Sequence, residues 1–237
     1  MSFIVYIFNE FLYRPLINVL VLLYVYLPGQ DFGVAIIVLT ILIKLILYPL
    51  GSKAIKSQKA LAELQPKIKE IQEKYKDDRE KQGREMLELY KREKISPFAG
   101  LLPLFIQLPV LIALYRVFLV GLDPNQFSSL LYGFLPHLET VKTTFLGIID
   151  LTKPNAVMVI LTGVFQFLQI KLISTKTSTG KTKNLNEQLQ KQMQYIAPLL
   201  IIFILWSLPS ALGLYILTTT VFTIIQQYII VKKQYVK

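Results

Sequence analysis

Five apolar stretches, residues 32–50, 98–120, 155–173, 195–208 and 212–231, constrain this chain more than any other feature. A helix needs about 20 apolar residues to cross a hydrocarbon core about 30 Å thick, and the stretches lie near or somewhat below that length. Only helices and closed barrels satisfy every backbone N–H and C=O without water, so such stretches specify an all-α polytopic membrane protein. The fourth stretch is short, about 14 residues or roughly 21 Å, which implies local thinning of the bilayer. Pro103, Pro109 and Pro198 fall inside stretches, as membrane helices tolerate where neighbours satisfy the freed carbonyls.

Charge orders these stretches across the bilayer. Of 26 lysines and arginines, 13 lie in 51–97, five lie between Lys171 and Lys191, and Lys232, Lys233 and Lys237 follow the last stretch. The loop 121–154 holds only Lys142 and Lys153, offset by Asp123, Glu139 and Asp150. The positive-inside rule then sets the N-terminus outside and the C-terminus in the cytoplasm. Topology thus accounts for the formal charge of +11, and no specific nucleic-acid partner is expected. The absence of cysteine excludes disulfides, thiolate metal sites and cysteine nucleophiles. His137 is the single histidine and lies in the outer loop, so neither a metal site nor a cofactor is expected. The opening MSFIVYIFNEF lacks the basic region and cleavage site of a secretory signal, and the N-terminus is expected to be retained.

Within the N-terminal segment 1–31, residues 11–27 (FLYRPLINVLVLLYVYL) are apolar but interrupted by Arg14, Pro15 and Asn18. After Pro15 about 12 residues remain, too few to cross, and Pro28-Gly29-Gln30-Asp31 then turns the chain. An interfacial helix on the outer surface is expected; a sixth span, with the N-terminus inside, is the competing reading. In 51–97, Ile55, Leu61, Leu64, Ile68, Ile71 and Tyr75 recur mainly at three- and four-residue intervals, and Met86, Leu89 and Tyr90 continue the pattern after Asp77-Asp78. Two amphipathic helices are expected to fold back as a cytoplasmic hairpin, with Pro66 starting or kinking the first arm. The loop 174–194 opens with STKTSTGKTK, which has no apolar residue and reads as mobile.

Lys44 stands inside the run 34–50 (VAIIVLTILIKLILYPL) with no acidic neighbour in sequence. A charge at the centre of a membrane helix costs about 2.5 to 3.5 kcal/mol on insertion scales, so such a residue faces a wet cavity or reaches an interface. Snorkelling is the bland reading, since the lysine stem extends toward the inner surface. Thr40 lies one turn earlier on the same face. Gln107, Gln166 and Gln169 add three amides within the spans; singly, each reads equally well as glue between helices, at about 0.6 kcal/mol per hydrogen bond. Thr218, Thr219 and Thr220 are expected to bond their own helix backbone, and Gln226 and Gln227 to sit at the inner interface without a special role. Trp206 reads as an aromatic-belt residue, Arg116 as snorkelling outward, and Arg14 as meeting lipid headgroups.

Taken in order, DFGVAIIVLTILIKLILYPL, QKALAELQPKIKEIQEKYKDDREK, ELYKREKISPFAGLLPLFIQLPVLIALYRVF and LPSALGLYILTTTVFTIIQQYII resemble the YidC/Oxa/Alb membrane protein insertases, from about residue 11 to the end. The resemblance implies five transmembrane helices around a hydrophilic groove that opens to cytoplasm and lipid and is closed outward, in a bacterial plasma membrane. It implies nascent membrane proteins as clients, accepted alone or beside the Sec translocon, with the hairpin meeting the client, the ribosome or targeting factors. Lys44, Thr40, Gln107, Gln166 and Gln169 are the groove candidates on that reading. Where the family typically carries a groove arginine this chain has Lys44, which keeps the charge without the planar five-donor fork. No counterpart of the large extracytoplasmic domain of many Gram-negative relatives is expected, and the tail 232–237 is too short to suggest tail-mediated ribosome binding.

Two other classes compete. A small solute transporter or channel would favour paired repeats around a midplane site, and no convincing repeat relates the halves. An intramembrane enzyme would want a buried carboxylate pair, a serine with a base, or zinc ligands, and the spans offer none, so no enzymatic activity is expected.

Overall fold

The computed structural model describes residues 3–96, 102–119, 130–136, 141–173, 196 and 199–235. His137, the loop 174–194 and Pro198 lie outside the described residues. The chain is built almost wholly of helices, as its apolar stretches require.

Helix α1 (Phe3–Phe8) runs through a single π-turn, Asn9–Tyr13, into α2 (Arg14–Tyr26). Pro15 cannot donate a backbone hydrogen bond, and the wider turn just ahead of it absorbs the missing donor without ending the helix. Val5–Tyr26 is therefore 22 residues long and apolar enough to cross a membrane, where the count from Pro15 alone suggested about 12. Length alone therefore does not separate an interfacial helix from a span. Asn18 Nδ2 donates to the Leu130 carbonyl (3.0 Å), the Tyr132 N–H donates to Asn18 Oδ1 (2.7 Å), and the Lys142 N–H donates to the Tyr24 hydroxyl (2.9 Å). One face of α2 is thus edged by the loop leading toward the outer ribbon.

Helix α3 (Phe32–Ile46) starts on Asp31, whose Oδ1 accepts from the Val34 N–H (3.0 Å). It ends at Ile46, four residues before the expected limit at Leu50. Pro49 has no N–H for the Leu45 carbonyl, and it sits instead in the first turn of α4 (Tyr48–Lys74), where that donor is not needed. The two helices meet at 72°. Helix α3 has 15 residues and is roughly 22 Å long, shorter by itself than a hydrocarbon core of about 30 Å.

The hairpin closes with α5 (Arg79–Arg92), capped by Asp78, whose carboxylate accepts from the Lys81 N–H (2.9 Å). Leu64, Ile68 and Leu89 form a small separate core with Ile71, Met86, Tyr90 and Ile95 around it. Lys67 Nζ reaches Glu93 Oε1 at 2.6 Å and ties the arms across their ends. Pro66 lies inside α4 rather than at its start, because the helix is already established from Tyr48.

Helices α6 (Leu102–Leu119), α7 (Ala156–Ile173) and α8 (Ser210–Tyr235) complete the bundle, with 199–205 also helical. Helix α8 packs against α3, α4, α6 and α7 and is the axis of the molecule. Around the start of α3, Tyr24, Phe32 and Phe118 stack edge to face at 5.8 and 6.1 Å within one continuous apolar core. A two-stranded ribbon, β1 (Thr144–Phe145) and β2 (Ile149–Asp150), lies between α6 and α7. Neither apolar periodicity nor charge announced it.

Among the described residues, Val5–Tyr26 and Ser210–Ile230 each meet the length and apolarity of a membrane span, and α3 with α4 meets it as a bent pair. Phe105–Phe118 and Ala156–Leu172 are apolar but shorter.

Candidate functional site: a polar track along the central helix

Helix α8 is apolar in composition yet carries a succession of polar side chains where it meets its neighbours. Near its N-terminal end the Thr162 hydroxyl of α7 donates to the Met158 carbonyl of its own turn (2.7 Å) and lies 3.2 Å from the Gly213 carbonyl of α8. Gln107 of α6 then donates to the Tyr215 hydroxyl, joining α6 to α8 in the apolar interior. Toward its C-terminal end Gln226 Nε2 donates to the Tyr48 carbonyl and to Ser52 Oγ, both at 3.1 Å, and so pins the α3–α4 elbow. Tyr215 and Gln226 are eleven residues apart, roughly 16 Å along the helix.

Lys44 falls within that interval. It is one turn, about 6 Å, outward of the Tyr48 contact, in the last turn of α3, where its charge also complements the C-terminal end of the helix dipole. Leu45 and Ile46 beside it are exposed, whereas Ile36, Leu39 and Thr40 are buried. Lys44 is half-buried, about 40° around the helix from Thr40, on the flank of the buried face. No carboxylate pairs with it among the described residues. Thr40 is fully buried, and its hydroxyl donates to the Ile36 carbonyl (2.6 Å), which uses its one proton and leaves it only as an acceptor for another partner.

Gln166 of α7 is buried one turn inward of Thr162, and its Oε1 has no hydrogen-bond partner. Gln169, a turn further, is half-buried. The five residues singled out from sequence therefore sit on α3, α6 and α7, the three helices gathered around α8; of them only Gln107 is bonded directly to α8.

Residues on α8 itself were missed. Tyr215 is buried, Gln226 is the clasp of the elbow, and Gln227 is 3 % exposed with neither amide atom hydrogen-bonded. A buried polar group without a partner costs about 1 to 3 kcal/mol, so the Gln166 carbonyl and the Gln227 amide are places where water or a passing polar chain is favoured. The only sequence signal was a pair of glutamines in an apolar run, which equally suits the inner interface. Thr218 and Thr220 do bond their own helix, to the Leu214 and Ile216 carbonyls at 2.8 and 2.7 Å, whereas the Thr219 hydroxyl, expected to do the same, is buried without a hydrogen-bond partner.

The two arginines outside this track meet protein. Arg14 pairs with Glu10 (3.2 Å), approaches the Leu130 carbonyl and stacks 5.2 Å from the Tyr132 ring. Arg116 donates to Asn9 Oδ1 (2.7 Å) and lies 4.6 Å from the Tyr13 ring centre.

The family model described as 60Kd inner membrane protein matches residues 23–237. A protein of Francisella philomiragia named membrane protein insertase YidC is 38% identical over 202 residues, covering 85% of this chain and 33% of its own length. One of the same name from Brucella melitensis is 35% identical over 222 residues, 90% of this chain and 35% of the relative. The chain thus spans about a third of the length of these two. A Fusobacterium nucleatum protein, also named membrane protein insertase YidC, is 38% identical over 203 residues, 86% of this chain and 87% of the relative. With the match running through the elbow, the hairpin and the central helix, this chain belongs to the 60Kd inner membrane protein family.

Proposed function

We propose that this protein inserts nascent integral membrane proteins into the bacterial inner membrane and assists their folding, alone or beside the Sec translocon. The observation that carries the reading is Lys44, a half-buried cation unpaired among the described residues, lying between buried polar contacts on the helices around α8. The name shared by the relatives, membrane protein insertase, favours this over a small-solute transporter or channel.

On this reading five spans, built on α3, α6, α7, 195–208 and α8, surround a hydrophilic groove with Lys44, Thr40, Gln107, Gln166 and Gln169 toward it, and Gln227 joins them. The N-terminus is outside, α1 and α2 lie along the outer surface, and the hairpin of α4 and α5 is cytoplasmic. An extracytoplasmic segment of a client is polar, and each unsatisfied backbone group in hydrocarbon costs several kcal/mol. A hydrated groove across part of the bilayer removes much of that barrier. Lys44 attracts acidic client residues more strongly there than in bulk water. Release follows when the client's apolar helix partitions sideways into lipid, aided by the membrane potential at about 2.3 kcal/mol per charge per 100 mV. No nucleotide is needed. The hairpin receives the client and meets the ribosome or targeting factors.

Lys44→Ala is expected to impair insertion of a client with an acidic extracytoplasmic segment, and Lys44→Arg to retain it, in cells depleted of their own insertase. Equal rescue by all three forms removes Lys44 from the mechanism.

A further inference from the structure

The outer ribbon ends in a turn whose chemistry does not suit its backbone. Ile148 N–H donates to the Phe145 carbonyl (3.0 Å), and the two central residues, Leu146 and Gly147, have φ of 52° and 69°. This is a type I′ turn, which favours Asn-Gly; a branched apolar residue with positive φ is an outlier. Leu146 is nevertheless 64 % exposed and Ile148 is 84 % exposed, so neither side chain is held there by packing within the protein.

The height of the turn is set by the helices around it. The Leu146 N–H donates to Asp31 Oδ2 (2.5 Å), the same carboxylate that caps α3. Phe145 lies against Gly33 in the first turn of α3, with no room for a Cβ there. Leu151 N–H donates to the Thr143 carbonyl, and Ser210 and Ala211 N–H groups donate to the Lys153 and Leu151 carbonyls, at 2.9 to 3.1 Å. Ser210 Oγ also donates to the Asp150 carbonyl (2.8 Å). The starts of α3 and α8 are therefore tied to one short segment, and α7 begins directly after it. The apolar bodies of these helices run inward from there, so the ribbon stands at the level where the hydrocarbon begins.

We infer that Leu146 and Ile148 form a lipid-dipping tip that rests in the outer boundary of the bilayer and anchors the outer end of α3. Two exposed aliphatic side chains with no basic residue between Thr144 and Asp150 suit the acyl side of that boundary rather than an anionic headgroup. The anchor is independent of any client and works through position alone.

The test uses the full chain in lipid vesicles, with Trp206→Phe removing the single native tryptophan and Ile148→Trp reporting from the tip. Emission should be blue-shifted, and lipids brominated near the headgroup end of their chains should quench about half of it. Adding Leu146→Asn, which suits the left-handed backbone better than leucine and so keeps the turn, should draw the reporter toward water and reduce the quenching about twofold. Water-like emission indifferent to brominated lipid overturns the inference. So does a blue shift that appears only when a second membrane protein is added, which would make the tip a protein contact. Insertion activity enters neither outcome.

Discussion

Gln226 and Gln227 are adjacent in sequence and opposite in circumstance. The first has two hydrogen bonds at the elbow; the second is buried with none. Gln226→Leu leaves the Ser52 hydroxyl and Tyr48 carbonyl without that amide and should cost about 1 to 2 kcal/mol in thermal unfolding in detergent. Gln227→Leu removes an unsatisfied group of similar size and should be neutral or stabilising by about 1 kcal/mol, while lowering insertion if the polar track is the client's path. A loss of stability in both, with insertion per folded molecule unchanged, would assign the pair to packing. The sequence made both residues visible as amides in an apolar run, but nothing in their order told them apart. Lys44 was legible as an anomaly because one charge in seventeen residues stands out; its place two residues from the end of α3 was not, because Pro49 ends the helix early.

At the scale of elements, the hairpin is the part whose sequence pattern carried furthest. Apolar residues at helical spacing on both arms face one another, and Leu64, Ile68 and Leu89 are the buried members. Leu89→Ala should loosen α5 from α4 at a cost of about 2 to 3 kcal/mol, read as faster hydrogen exchange confined to the hairpin. The hydrogen bond from Lys67, together with its charge, holds the half-buried Glu93 carboxyl below the usual carboxylate range. Its folded value is lowered, so the stabilisation is present above the unfolded value of about 4.3 and fades as pH falls through the folded one. Acidification below about pH 4 should therefore loosen the hairpin ends, and Glu93→Gln should remove that dependence, compared by exchange of α5 at matched pH. At the outer end, Gly33→Ala drives a Cβ into Phe145 and should cost about 1 to 3 kcal/mol by displacing the ribbon from α3.

For the whole molecule the open question of topology is the helix formed by α1 and α2. From Arg14 to Tyr24 it is bonded to the backbone of residues 130, 132 and 142, over roughly 15 Å along the helix. A helix crossing the bilayer would carry those polar backbone groups through hydrocarbon; a helix lying on the outer surface keeps them in the interface. The chain has no cysteine, so single replacements at the exposed Val5 and Tyr26 report directly. Both should react with a membrane-impermeant maleimide added outside intact cells, and reaction of only one would make the helix a span.

The sequence by itself determined that this chain is helical, that it belongs in a membrane, which loops are basic, and that a charge stands among apolar residues. Those properties accumulate along the chain from hydrophobic length and formal charge, and they need no knowledge of neighbours. Only the tertiary structure decided where α3 stops, which amides are paired, and that an outer ribbon gathers the starts of α3 and α8. A hydrogen bond is decided by which faces meet, and Tyr48 with Gln226, or Asp31 with Leu146, are more than a hundred residues apart in the chain.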